Sequence, residues 1–227
     1  MPRISVGCRS AALTVAVLLA AYPKLAGATT TTTYIGADGG SWTVPGNWDN
    51  GVPNSNAFDA VLNDLVPKTV VLSGVPENIN NMTVSTPDTL NLRVGLTLDG
   101  NVVNNGTMNI SGFGGLLFHA NATLSGGGVI NILGQSSRLD GTNGIRLSTD
   151  NVISGAGNIG TPGGGISLNN SGTITATNGG QGLFLNIYPS ATSSIMNTGV
   201  LRADGGTLGL GFAFVANSGG LIESRHG

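Results

Sequence analysis

The chain lacks most of what disulfide-stapled domains and charged enzymes rely on. Cys8 is its only cysteine in 227 residues. It lies ahead of the N-terminal apolar run, so it cannot be a lipid-bearing residue at a cleavage site, and once that run is removed no disulfide can form. Stability must then come from burial and backbone hydrogen bonds. Charged residues are 9% of the chain, far below the usual quarter. Aromatics are 5% and there are two histidines, His119 and His226. Past the N-terminus no apolar stretch approaches the roughly 20 residues that cross a bilayer. No segment there keeps a 3.6-residue apolar period either, so helix is expected to be nearly absent.

The N-terminus reads as an export signal. Arg3 and Arg9 precede an apolar run from Ala11 to Tyr22, and Ala26-Gly27-Ala28 follows as a small-x-small cleavage pattern. Residues 1–28 are expected to be a signal peptide cleaved after Ala28, placing the protein outside the cell or on its surface. From Thr29, six cations face eleven acids, for a net charge of −5. Scattered cations on an acidic chain give no electrostatic footprint for nucleic acid.

What the chain does have is a returning phrase, Asn-x-Gly-x-apolar. It appears as Asn104-Asn105-Gly106-Thr107-Met108, Asn170-Ser171-Gly172-Thr173-Ile174 and Asn197-Thr198-Gly199-Val200-Leu201, with a looser copy from Asn217 to Leu221. Degenerate copies read as Gly126 to Ile130 and Gly155 to Ile159. The starts are separated by 22, 29, 15, 27 and 20 residues, a spacing typical of stacked repeats. Between the copies run short alternating strands such as Leu90/Leu92/Val94, Ile130/Ile132, Ile145/Leu147, Leu183/Leu185/Ile187 and Leu208/Leu210/Phe212/Phe214. Period-2 alternation marks half-buried strand.

Hairpin sandwiches would need two-residue turns. Like recurring at rung-like spacing instead predicts an all-β, right-handed parallel β-helix of about 20–22-residue rungs, eight or nine in number. Met108, Ile130, Ile159, Ile174 and Leu201 are expected to stack as one interior column, with glycines supplying positive-φ corners. Residues 29–33 read as a flexible Thr-rich leader, 34–67 as an N-terminal capping segment, and 68–227 as the β-helix repeats.

The phrases LSGGGVINI (124–132), ISGAGNIG (153–160), NNSGTITA (169–176) and MNTGVLRADGGTLGL (196–210) resemble the repeats of bacterial secreted β-helix proteins. That group includes autotransporter-passenger-like, adhesin-like and PEP-CTERM-type extracellular proteins. The opening SWTVPGNWDNGVPNSNAFDAVLND (41–64) resembles the segment that starts many of them. The resemblance covers most of the chain after residue 28. It implies the β-helix and secretion, but no shared catalytic residues. The end at Ser224-Arg225-His226-Gly227 departs from the pattern, with no Pro-Glu-Pro tail and no translocator barrel, so a freely secreted chain or a truncated passenger-like fragment is expected.

Chemistry-bearing clusters are sparse. The acids stand singly, and only Asp140 and Asp150, with Arg138 and Arg146 nearby, form an acid-plus-base grouping of the kind polysaccharide lyases and hydrolases use. Surface turn residues are the favoured reading of all four. Trp42 and Trp48 could form a sugar-stacking platform, though plugging the first rung is favoured for both. No metal-ligand spacing or phosphate loop occurs, and no cofactor is expected. The reading is a secreted or cell-surface structural or adhesive element without catalytic activity. The alternative is a carbohydrate-active β-helix enzyme. Partners are expected among extracellular or cell-surface polysaccharides, and among copies of the chain itself through an open C-terminal edge.

Overall fold

The strands wind into a three-sided coil. A computed structural model describes residues 28–142, 144–161, 166–187, 194–211 and 214–225. Residues 1–27 of the segment read as a signal peptide, together with Phe212 and His226, lie outside them. Every strand pairing among the described residues is parallel. One rung shows the plan: Met82–Val84 on a first face, Thr89–Leu92 on a second, Gly95–Leu98 on a third. Nine strands stack on the first face, from Thr30–Thr33 to Phe214–Asn217. The other two faces form one 14-stranded sheet, because Val129–Gly141 and Val152–Ile159 run round the corner between them. The result is a β-solenoid of about 7 turns with roughly 22-residue rungs. The only helix among the described residues is a single 3-10 turn, Pro45–Asn47.

The core is a set of like-on-like columns. On the second face Val70, Leu90, Met108, Ile130, Ile153, Ile174 and Leu201 stack in register, all at 0% exposure. Ile153, not Ile159, holds the third level of the predicted column. Ile159 belongs to the third face, between Leu139 and Leu185. The copy of the phrase read at Gly155 is therefore misplaced. Its true position is Thr149-Asp150-Asn151-Val152-Ile153, since Val152 pairs with Val129 and Thr173. Starts at 104, 126, 149 and 170 are then 22, 23 and 21 residues apart, and the irregular 29 and 15 vanish, leaving 27 to the copy at 197.

Asparagine closes the corner between the first and second faces. Asn104, Asn151, Asn170 and Asn197 are buried there. Asn170 Nδ2 donates to Asn197 Oδ1 at 2.8 Å, and Asn197 Nδ2 to Asn217 Oδ1 at 2.7 Å. The same amides reach backbone carbonyls of the next rung, Val200 and Leu221. At one level glycines replace the asparagine. Across that gap Asn104 Nδ2 spans to Asn151 Oδ1 at 2.8 Å. The motif's glycines are required by contact and not by φ. A Cβ at Gly199 would lie 2.0 Å from the Gly172 carbonyl oxygen, and one at Gly172 2.2 Å from that of Asn151. Neither is among the positive-φ glycines.

The N-terminal segment joins the coil earlier than its composition implies. Thr30–Thr33, expected as a flexible leader, is the first strand of the first face and pairs with Phe58–Leu62. That second strand lies inside the expected capping segment, so stacking starts before Lys68. Tyr34, Trp42 and Trp48 head the core, with Trp42 one residue beyond the Ser41–Val71 pair and thus above Leu72. At the other end, Leu208 is half-buried, Leu210 is 37% exposed and Phe214 75% exposed. Phe214 does not continue the Leu208/Leu210 strand, but opens the next strand on the first face opposite Ser194.

Two substitutions test this packing. Ile174→Asp places a charge inside the central column and is expected to cost several kcal/mol. Asn197→Ala removes the four hydrogen bonds of that side chain and orphans its neighbours, an expected loss of about 2–4 kcal/mol, whereas Asn217→Ala at the exposed ladder end costs less than about 1 kcal/mol. Urea unfolding of the three variants checks both. Equal midpoints for Asn197→Ala and Asn217→Ala would show that the corner ladder contributes nothing.

Candidate functional site

The outward surface of the second face is the candidate functional site. Side chains pointing outward recur every second residue, so stacked rungs make straight files. One file reads Thr69, Thr89, Thr107, Val129, Val152, Thr173, Val200 and Leu221. Its neighbour reads Asn91, Asn109, Asn131, Ser154, Thr175. Asn109 Nδ2 donates to Asn91 Oδ1 and Asn131 Nδ2 to Asn109 Oδ1, both at 2.8 Å, and the Ser154 hydroxyl donates to Asn131 Oδ1 at 2.9 Å. The file ends in its charged members, Arg202 over Glu223, joined at 2.6 Å. From Asn91 to Ser154 this second file is a neutral ladder of three amides and a hydroxyl whose bonding runs along the rod.

Several carboxylates are occupied elsewhere, in holding backbone. Asp38 accepts from Thr69 N–H and Asp49 from Thr33 N–H, each at 2.7 Å. Asp88, 1% exposed, accepts from the N–H groups of Asp64 and Lys68. Asp59 gathers Thr29, both side-chain amides of Asn80 and Asn81, and Asn81 N–H. Partial desolvation raises the Asp59 pKa, but those donors outweigh it and hold the carboxyl below its ordinary value.

The predicted acid-plus-base grouping is dispersed over the coil. Arg138 and Asp140 lie on the third face, opposite Gly115 and Leu117. Asp140 is 7% exposed, and its Oδ1 has no hydrogen-bond partner. Arg146 opens a first-face strand opposite Ser167. Asp150 sits at the next corner, accepting from the N–H groups of Gly126 and Gly127. Trp42 and Trp48 are buried, at 0% and 3% exposure. The Trp42 indole donates to Pro53 O at 3.0 Å and that of Trp48 to Trp42 O at 2.6 Å. The two rings meet edge to face at 4.8 Å, with Tyr34 against Trp48 at 5.4 Å. No ring face is left for a sugar, and the three rings fill the first rung.

Sequence reasoning missed two arrangements that the rung period brings together. His119 Nδ1 lies 2.8 Å from Asp99 Oδ1, a residue 20 positions earlier and so one rung away. Asn56 donates to the other oxygen of Asp99 at 2.7 Å. Asn81, Asn101 and Asn121, also 20 apart, bracket the corner between the third and first faces. Their side-chain oxygens accept from the N–H groups of Asn101, Thr123 and Arg146. No group of three or more potential metal ligands occurs among the described residues. No protein-family model, curated protein or solved structure matches the chain.

Acid should loosen the N-terminal end of the coil. A depressed folded pKa means that Asp59 contributes stability above its unfolded value of about 3.9. That contribution is lost as pH falls through the lower folded value. Thermal melts between pH 6 and pH 2 should therefore drop below about pH 4, and Asp59→Asn should flatten the drop. An unchanged acid limb in Asp59→Asn would remove Asp59 from the account.

Proposed function

We propose that the protein is a secreted or cell-surface solenoid that acts as a structural or adhesive element and not as a catalyst. The observation that carries this reading is the neutral second-face ladder of Asn91, Asn109, Asn131 and Ser154, whose side chains are hydrogen-bonded to one another along the rod. Such a face is rigid and suits repeated shallow contact with an extended polymer or a surface. Asp38, Asp49, Asp88 and Asp150 support the reading too, since each accepts backbone N–H groups at a separate place. The likeness of the repeats to bacterial autotransporter-passenger-like and adhesin-like proteins, and the N-terminal segment read as a signal peptide cleaved after Ala28, belong to the same proposal. No helix among the described residues is long and apolar enough to cross a membrane.

The polymer reading is tested by retention. The purified chain should be held on insoluble polysaccharide well above an albumin control. It should release neither reducing ends nor unsaturated ends from pectin or alginate. Background retention, together with end release that Asp140→Ala or Asp150→Ala abolishes, would replace this reading with a carbohydrate-active enzyme.

Self-association follows from the last described rung. Leu221 and Ile222 are 46% and 44% exposed, and a cavity of about 280 Å³ opens among Ala203, Leu208, Leu210 and Ile222. Another rung of the same kind would cover them, and a second copy can provide it. Sedimentation should show mass rising with concentration, and Ile222→Lys should suppress the rise. A monomer at all concentrations would count against end-to-end stacking.

A further inference from the structure

The first face carries a file that breaks its own regularity. Its outward members are Thr123, Ser148, Asn169, Met196 and Ala216, each in register with the next. No hydrogen-bonded ladder forms along it. Among the described residues, the Ser148 hydroxyl and the Asn169 amide make no hydrogen bond. Met196, one rung on, stands 49% exposed. The wall beside the file is the corner pair Ser171 and Thr198, the second residues of two copies of the Asn-x-Gly phrase. Their hydroxyls donate to Thr149 O at 3.1 Å and Asn170 O at 3.3 Å. Between file and wall lies a cleft of about 230 Å³, floored by Thr149 and Asn170. Asn170 is 1% exposed, and its Oδ1 has no hydrogen-bond partner.

We propose that this cleft seats one sugar ring of a neutral glycan lying along the rod. The chemistry of the lining selects the ligand. No ionisable side chain lines it, so nothing there offsets a carboxylate, sulfate or ammonium brought out of water. The Asn169 amide presents a donor and an acceptor side by side, matching two adjacent hydroxyls, and Ser148 adds a group that can do either. The Met196 thioether supplies an adaptable apolar wall for the C–H face of a pyranose. The volume is below the about 300–1,000 Å³ of enclosed small-molecule pockets, which fits one ring of a longer chain. This inference rests on the adhesive reading and names its ligand class and seat.

Titration calorimetry of the full purified chain tests it, with cellohexaose, xylohexaose and mannohexaose as neutral probes and polygalacturonate as the acidic one. At least one neutral hexasaccharide should bind. Asn169→Ala and Met196→Ala should each weaken it tenfold or more, while Phe184→Ala, which removes an exposed ring on the third face, changes it less than twofold. Both cleft variants alter side chains on the outer surface, and their circular dichroism should match the parent. No binding of any neutral probe at millimolar concentration overturns the inference. So does binding that survives both cleft variants, and so does binding of polygalacturonate alone. Retention on insoluble polysaccharide that persists in both cleft variants leaves the adhesive reading intact while removing this seat. Hexasaccharide binding lost in both variants, without any retention of the parent, keeps the seat and removes the adhesive reading.

Discussion

A parallel coil must satisfy the same backbone groups at the same corner at every level, about 4.8 Å apart. Whatever side chain does this must accept from one neighbour and donate to the next, or the chain of bonds stops after one step. Asparagine has both halves on one short stem. At the buried corner, Asn170, Asn197 and Asn217 pass hydrogen bonds upward, amide to carbonyl. At the corner between the third and first faces, Asn81, Asn101 and Asn121 accept backbone N–H groups instead. A ladder of this kind must have a head, and the head is visible. The Oδ1 atoms of Asn104 and Asn170 are buried without partners. Asn170 faces Thr149, and Asn104 faces Val84, neither of which offers an amide donor.

The same constraint explains the composition. Like stacks on like, so a charge placed in a file meets its own kind one rung away, and repulsion at that distance is destabilising. Neutral amides and hydroxyls escape the problem, which accounts for charged residues falling to 9%. Where charges do enter the second-face file they come as opposite signs, Arg202 against Glu223. Acids survive mainly at the corners, as with Asp88 and Asp150, where backbone N–H groups surround them.

The fold class was legible because a repeat reports its own period. Column membership was less so. Glycine-rich phrases at Gly126 and Gly155 look alike in sequence, yet only the first occupies the Asn corner. The true corner at Thr149-Asp150-Asn151 has no glycine, so the motif search passed over it. Thr30–Thr33 was misread for a different reason. A threonine run has high β propensity but no alternation, and only pairing with Phe58–Leu62 reveals it as a strand. The tryptophans were read as plug or platform, and their depth decides for the plug. The His119–Asp99 pair and the Asn81/Asn101/Asn121 bracket are 20 residues apart and follow from the rung period. They were overlooked because no short-range phrase marks residues that meet only across a rung.

Repetition and binding capacity pull in opposite directions on such a surface. In the second-face file each amide is already engaged by its neighbours, and Asn109 both donates and accepts within it. A ligand there must compete with bonds that exist, so the net gain per contact is small. The file therefore serves better as a stiff wall than as a reader of any one molecule. On the first face, by contrast, Ser148, Asn169 and Met196 follow one another without a common chemistry. No ladder can form among a hydroxyl, an amide and a thioether in succession, and their polar atoms stay open to solvent partners. In a solenoid, then, the repeat secures the rod, and the places where the repeat lapses are where unspent hydrogen-bonding groups face outward.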